Sequence, residues 1–484
     1  MKGNVKATMR SSTVVVMACT LMVGFAGSAA CASVDWFASE VVSSSGLGVS
    51  PYDFPGAALG KPTTLFRDMG DNGQVWACSV VVSSWNLDPD QNKIITTINP
   101  GGWITVKFAT PIENDPENWY NQDFIVFGNS GFNWTSEDYI TPTTDMEQCQ
   151  IASGGAGRWE PSVVSVAQYP DGPWYDFSAP SDPRADDLAP IQAFAWDYIN
   201  HAWGQELDFT KPVDPALTKA NFGDKLATEA IDMYRGSAGG AGFDISKFSL
   251  STNGNGRKWI QYIKVTGTRG EVDGFARVGH ETFPISAGAA KRMDDGVPVV
   301  LGDHVVTASN AELGDCCYVE SRDRTSGIRL ADRVLDRDKR VDVYGVLATV
   351  NGERVMRVTA IESLGDEEIA PVGMPCKSVG GGDFGVQAGG TAGQRGVNGG
   401  VGLNTIGLLV RTWGNVSSPN VTERTFCIGD GSGAAVKCAA PADTEFVLPA
   451  DGSFVSVTGV VSCETDGPGN LAPLIRIRCQ ADVR

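Results

Sequence analysis

Hydrophobic and polar residues alternate with a period of two along much of this 484-residue chain. Trp103-Ile-Thr-Val-Lys-Phe108 and Trp259-Ile-Gln-Tyr-Ile-Lys-Val265 place apolar side chains at every second position, which predicts strands covered on one face. Asp123-Phe-Ile-Val-Phe127 is a continuous apolar run between polar loops, and it predicts a strand buried on both faces. One segment, Leu217 to Tyr234, has a helical pattern. Long Asn/Asp/Pro/Gly loops separate the strands up to about residue 285, so residues 33–288 are expected to form a jelly-roll-like β-sandwich with large insertions.

Ser286 to Gly296 interrupts the strand pattern and marks a boundary. Beyond it, five short strands are predicted at Leu301–Ala308, Tyr318–Glu320, Gly327–Leu330, Val341–Val346 and Arg354–Val358. The same order returns at Leu409–Val416, Phe426–Ile428, Ala435–Cys438, Phe454–Val460 and Leu474–Arg478. Both copies turn their second hairpin through a Ser-Gly step, Ser326-Gly327 and Ser432-Gly433. Both also carry a glycine in strand four, Gly345 and Gly459, where a curled sheet needs a bend or bulge. Five antiparallel strands closing on themselves match an OB-fold, so 291–366 and 403–484 are expected to be OB-fold-like barrels. The Gly-rich stretch 380–402 between them reads as a linker. Phe384, Val386, Val397 and Leu403 interrupt it and leave room for packing against a barrel. The expected class is therefore mainly β throughout.

The N-terminus bears on compartment. Lys2, Lys6 and Arg10 precede an uncharged apolar stretch, Thr13 to Ala26, and Ala30-Cys31-Ala32 fits a small-residue cleavage site. Residues 1–32 thus read as a secretory signal peptide, and the apolar run is too short for a good membrane span. A rival cleavage would leave Cys31 as a lipid-bearing first residue. No later apolar run is long enough to span a membrane, and the expected location is secreted or cell-surface. Eleven cysteines occur and none makes a C-x-x-C pair; nine remain after the signal, so disulfides are the default expectation. Cys427 with Cys438, and Cys463 with Cys479, are the plausible neighbours.

A net charge of −19, concentrated before residue 291, argues against nonspecific binding of nucleic acid or anionic membrane by that half. Only three histidines occur, His201, His280 and His304, without metal-site spacing, and they are expected on the surface or in loops. No G-x-S-x-G elbow is present. Gly56-Ala-Ala-Leu-Gly60-Lys61 is one residue short of a phosphate loop and runs into Pro62.

Three groups of residues remain as candidate sites. Glu113, Asp115 and Asp123 crowd one loop with oxygen donors, as a structural calcium would require, with Asp244 and Asp273 as further donors. Trp119, Tyr120 and Trp134 lead a set of loop aromatics (with Phe132, Trp159, Trp174, Tyr175, Trp196 and Trp203) whose flat rings suit sugar faces or protein partners. Tyr318 and Arg324, with Arg322 and Arg329, lie near the face of the first barrel where OB-folds hold oligomers, although Glu320 and Asp323 offset two of those charges.

The N-terminal half resembles a family of exported bacterial cell-surface proteins. The likeness is carried by Ala38-Ser-Glu-Val-Val42, Ala57-Ala-Leu-Gly-Lys-Pro-Thr63, Trp119-Tyr-Asn-Gln-Asp-Phe-Ile-Val-Phe-Gly-Asn129, Lys211-Pro-Val-Asp-Pro-Ala-Leu-Thr218, Gly239-Gly-Ala-Gly-Phe-Asp-Ile245 and Glu271-Val-Asp-Gly-Phe-Ala276. That resemblance implies a surface location and no established activity. Tyr318-Val-Glu-Ser-Arg-Asp-Arg-Thr-Ser-Gly-Ile-Arg329 resembles OB-fold modules of secreted bacterial proteins, some attached to nucleases, and implies a fold without a reaction. The expected function is non-catalytic binding of a glycan, a matrix component or a surface protein. The alternatives are a polysaccharide hydrolase using paired carboxylates and nucleic-acid capture by the barrels.

Overall fold

Nine principal strands build the N-terminal body: β1 Glu40–Leu47, β2 Thr96–Glu113, β3 Phe124–Phe127, β4 Val163–Ala167, β5 Tyr175–Asp176, β6 Ala241–Phe243, β7 Trp259–Thr266, β8 Glu271–Val272 and β9 Gly274–Arg277. This is a computed structural model that describes residues 35–484 except 71–72, 136–139 and 468. The signal-peptide reading of residues 1–32 therefore lies outside the described residues.

The large sheet runs β1-β2-β7-β4-β5, with β8 also on β2, and a smaller sheet runs β6-β3-β9; every pairing is antiparallel. Alternation explains their stacking. Ile104, Val106, Ile263 and Val265 point inward from the large sheet onto Phe124 and Val126 of β3. Ile125 and Phe127, on the other phase of β3, enter a second core with Phe132, Trp196, Phe222 and Tyr234. The run Phe124–Phe127 is buried on both faces, as its composition predicted. The long insertions form a third layer over the small sheet.

That layer corrects one element. The helical segment 217–234 is not continuous. It forms α1 Lys219–Phe222 and α2 Ala227–Met233, because Gly223 leaves the helical region and Asp224 takes a φ of 63°.

Ten principal strands follow in two sets: β10 Pro298–Ala308, β11 Cys317–Ser321, β12 Gly327–Ala331, β13 Lys339–Val350 and β14 Glu353–Asp366, then β15 Leu409–Asn420, β16 Thr425–Gly429, β17 Ala435–Ala439, β18 Phe454–Thr465 and β19 Leu471–Arg476. The first set closes in the order β10-β11-β12-β14-β13, the second in the order β15-β16-β17-β19-β18, with β15 also on β18. All ten sit where the repeat placed them. One detail differs from the all-antiparallel expectation: β12 and β14 pair in parallel, as do β17 and β19. The strand-four glycines have the same cause in both barrels. A Cβ on Gly345 would lie 2.3 Å from the carbonyl oxygen of Arg357, and one on Gly459 would lie 2.5 Å from that of Arg476. In the first barrel the register shifts at this point.

Residues 35–484 form one compact unit, and polar contacts stitch its parts together. Asp232 of α2 accepts two bonds from Arg333 beyond β12, and Arg235 pairs with Glu362 of β14 at 2.7 Å. Between the barrels, the fully buried Glu320 accepts from the Leu409 N–H at 2.9 Å. The stretch 380–402 packs on both barrels. Its buried Gln394 accepts from the Arg354 N–H at 2.7 Å and donates to the Gly352 carbonyl at 2.9 Å, while Val397 joins the core of the second barrel. Leu403 stays exposed.

The disulfide expectation is corrected: all nine described cysteines are free thiols. Cys427 lies opposite Lys437 and Cys438 opposite Phe426, so the two sulfurs leave opposite faces of the sheet. Cys463 lies opposite Pro473 rather than Cys479. His304 is corrected as well. It is 1% exposed, and its Nε2 lies 3.0 Å from both the Ala287 N–H and the Ser321 hydroxyl.

Candidate functional site

The outer face of the large sheet is polar in phase with its buried face, apart from a pair of indoles. Along β2, Trp103 and Thr105 point outward between the buried Ile104 and Val106; along β7, Lys264 and Thr266 do the same. Register sets Thr105 beside Lys264 and Trp103 beside Thr266, with Ser43 of β1 on the far side of Thr105. Trp174, from the loop between β4 and β5, folds over the Lys264 ammonium, whose Nζ sits 4.3 Å from the ring centroid. Lys264 makes no ion pair among the described residues. The result is a groove of about 380 Å³ with Trp103 and Trp174 as walls, Ser43, Thr105 and Thr266 as a hydroxyl floor, and one cation. Trp103 keeps 38% of its surface exposed.

A second concavity of about 500 Å³ opens between the third layer and the first barrel, lined by Trp36, Trp119, Phe209, Lys211 and Tyr344 among others. Trp119 is held by a short turn, Trp119–Asn121, in which Tyr120 and Asn121 both take positive φ. Lys211 is 5% exposed, and its Nζ lies 3.8 Å from the Trp119 ring and 4.6 Å from the Tyr344 ring. Burial pulls its pKa down to about 7 against the partial support of Asp208.

A third feature is a trio of carboxyls. Oxygens of Glu160, Asp186 and Glu271 lie within 4.8 Å of one another, beside a hollow lined by Ser83, Asn129, Arg158 and Trp159. Asp186 accepts N–H bonds from Asn129 and Glu271, each at 2.9 Å. Burial, ahead of mutual repulsion, holds Asp186 and Glu271 well above the ordinary carboxyl range.

No family model and no curated protein matches the chain.

The residues singled out from sequence are distributed differently. Trp119 lines the cleft, and the buried side of Tyr120 meets Arg235 next to it. Trp134 packs against the third-layer core and bridges to Ile151. Tyr318, expected on an open barrel face, is fully buried; its hydroxyl donates to Glu353 at 2.8 Å and reaches Ser462 of the second barrel at 3.1 Å. Arg324 pairs with Glu320 and donates to the Leu409 carbonyl at 3.1 Å, so it clamps the barrels together. Of the proposed calcium donors, Glu113 and Asp115 converge on Arg257, which supplies positive charge between them. Asp123 turns away to accept the N–H groups of Asp115 and Ile245, and burial lifts its pKa to about 7. Asp115 comes together instead with Glu117 and His280. Trp103 and Lys264 were missed, though a tryptophan and a lysine on the polar phase of two adjacent strands were visible as an irregularity.

The raised carboxyls set a pH dependence. Asp123 and Asp273 reach about 7, and Asp186 and Glu271 are also raised, whereas unfolded carboxyls titrate near 4. Above about pH 4 the folded chain therefore keeps protons that the unfolded chain releases, and stability falls as pH rises towards 7. His304, lowered by burial, opposes this, as does Lys211 at the upper end of the interval. The expected outcome is a melting midpoint several degrees lower at about pH 7 than at about pH 5. A midpoint that is flat or rises across that interval contradicts the assignment.

Proposed function

We propose that this is an exported, non-catalytic binding protein that holds a glycan chain across the outer face of its large sheet. The groove between Trp103 and Trp174 carries the reading. Indole faces stack on the C–H faces of sugar rings, floor hydroxyls exchange hydrogen bonds with sugar hydroxyls, and an open groove admits a polymer. The unpaired Lys264 favours neutral or mildly anionic sugars over cationic ones. The signal-like start of the chain and its likeness to surface proteins support an extracellular setting.

The two-sheet body supports the jelly-roll reading. The shared cyclic order of the barrels, with strands three and five parallel, supports the OB-fold reading. Capture of nucleic acid by the first barrel has less support, because the second barrel covers Tyr318 and Arg324. A hydrolytic alternative would draw on Glu160, Asp186 and Glu271.

Isothermal titration with neutral oligosaccharides selected from a glycan array tests the proposal. Trp103→Ala and Trp174→Ala are each expected to weaken binding by roughly tenfold, the loss of one stacked ring. The reading fails if the array shows no ligand or if both variants bind like the parent chain. Release of reducing ends would replace the binding-only reading with a hydrolytic one.

A further inference from the structure

Lys211 has an environment that a structural lysine does not need. It follows Asp208-Phe-Thr, where Asp208 accepts the Thr210 N–H and hydroxyl, each at 2.7 Å. The Ser237 hydroxyl holds the Lys211 carbonyl at 2.6 Å. Arg235, with a φ of 50°, turns its own carbonyl to accept from Lys211 Nζ at 2.6 Å. The backbone on both sides is thus pinned, and the amine is fixed at the wall of the cleft between the third layer and the first barrel.

The amine has no ion-pair partner among the described residues. The charges facing it are Asp208, Arg235 and Glu281. The Asp208 carboxylate serves Thr210, and Arg235 is paired with Glu362. Across the cleft, Lys61 is paired with Glu206. Trp119 and Tyr344 flank the Nζ, and the aromatic faces favour its charged form. Burial outweighs them and brings the pKa of the amine down to about 7, so its neutral form is within reach near neutral pH. A desolvated amine next to a cationic group, open to a cavity of small-molecule size, is the arrangement that makes lysine nucleophilic.

We propose that Lys211 is a carbonyl-reactive amine that captures a small, uncharged aldehyde or ketone in the cleft as a Schiff base. The amine lone pair forms the C–N bond while the carbonyl π pair moves to oxygen, which takes up a proton. The nitrogen then releases its protons, water leaves, and the C=N bond forms; amine and carbonyl become imine and water, with no change of oxidation state. The pairing of Lys61 and Arg235 leaves no free cation for an anionic substituent, and Trp36, Phe209 and Tyr344 suit an apolar body. The inference concerns a different cavity from the glycan groove and stands or falls without it.

Benzaldehyde with the full chain, followed by borohydride reduction and peptide mapping, tests it. A single reduced adduct is expected at Lys211, formed roughly tenfold faster than at exposed lysines such as Lys377. Its yield should fall away below about pH 6 as the amine charges. Lys211→Arg, with an unchanged melt, should remove that adduct and leave background labelling intact. The proposal is overturned if Lys211 labels no faster than Lys377, or if its labelling rises only in the alkaline range where ordinary lysines react. Because the decisive comparison is made on the unmodified chain, a variant that misfolds does not protect the proposal.

Discussion

Replacing Asp232 by alanine is expected to lower the free energy of unfolding by about 3–5 kcal/mol, measured by urea denaturation. Asp232 projects from α2 and takes two bonds from Arg333, one at 2.7 Å, across the junction of third layer and first barrel. Their side chains are only 18% and 12% exposed, and the guanidinium also lies 4.2 Å from the Tyr198 ring. Truncating the acid leaves Arg333 charged in a site that water barely reaches, and that orphaned charge is the source of the cost. The double change Asp232→Leu with Arg333→Met should recover most of the loss, because both charges then leave together. A loss below about 1 kcal/mol in the single variant would place the pair among weak surface bridges and deny it a role in docking.

Gly345→Val and Gly459→Val are each expected to cost about 3 kcal/mol. The argument is steric and the same in both barrels. Strand four crosses strand five so closely that a Cβ would lie 2.3 or 2.5 Å from a backbone carbonyl oxygen, which has no rotamer to escape through. Relief requires the strand to move, and the strand closes the barrel on both sides. Gly254→Ala is the control, since a Cβ there meets nothing within 4 Å and the φ is ordinary. It should change stability by less than about 0.5 kcal/mol. Equal thermal midpoints for the three variants would contradict the close approach.

Local period carried much of this architecture. The double-sided burial of Phe124–Phe127, the ten barrel strands and the two strand-four glycines all follow from spacing that a short window contains. What eluded sequence was covering at long range. Tyr318 sits on a strand whose pattern reads as a normal barrel wall, but a second barrel, some 140 residues later, lies on top of it. The glycine-rich stretch has a linker's composition, yet Gln394 bonded to Arg354 and Val397 in the core of the second barrel show that it packs. The helix over 217–234 failed at Gly223-Asp224 because a helical pattern does not register one residue at positive φ. The candidate groove was half visible: Trp103 and Lys264 stand on the wet phase of their strands, but only the register of β2 against β7 shows that they are neighbours.

Closure of the two barrels also governs how this molecule behaves in a crowd. A sheet whose last strand bonds to its first leaves no unsatisfied row of amides for another chain to copy. The sandwich does have free margins. The large sheet ends at β5, only two residues long, and at β1, broken by two irregularities in its pairing; the small sheet ends at β6 and β9, three and four residues long. None offers a long, straight template for strand addition, so the chain should stay monodisperse when concentrated, and association with itself will have to proceed through side chains.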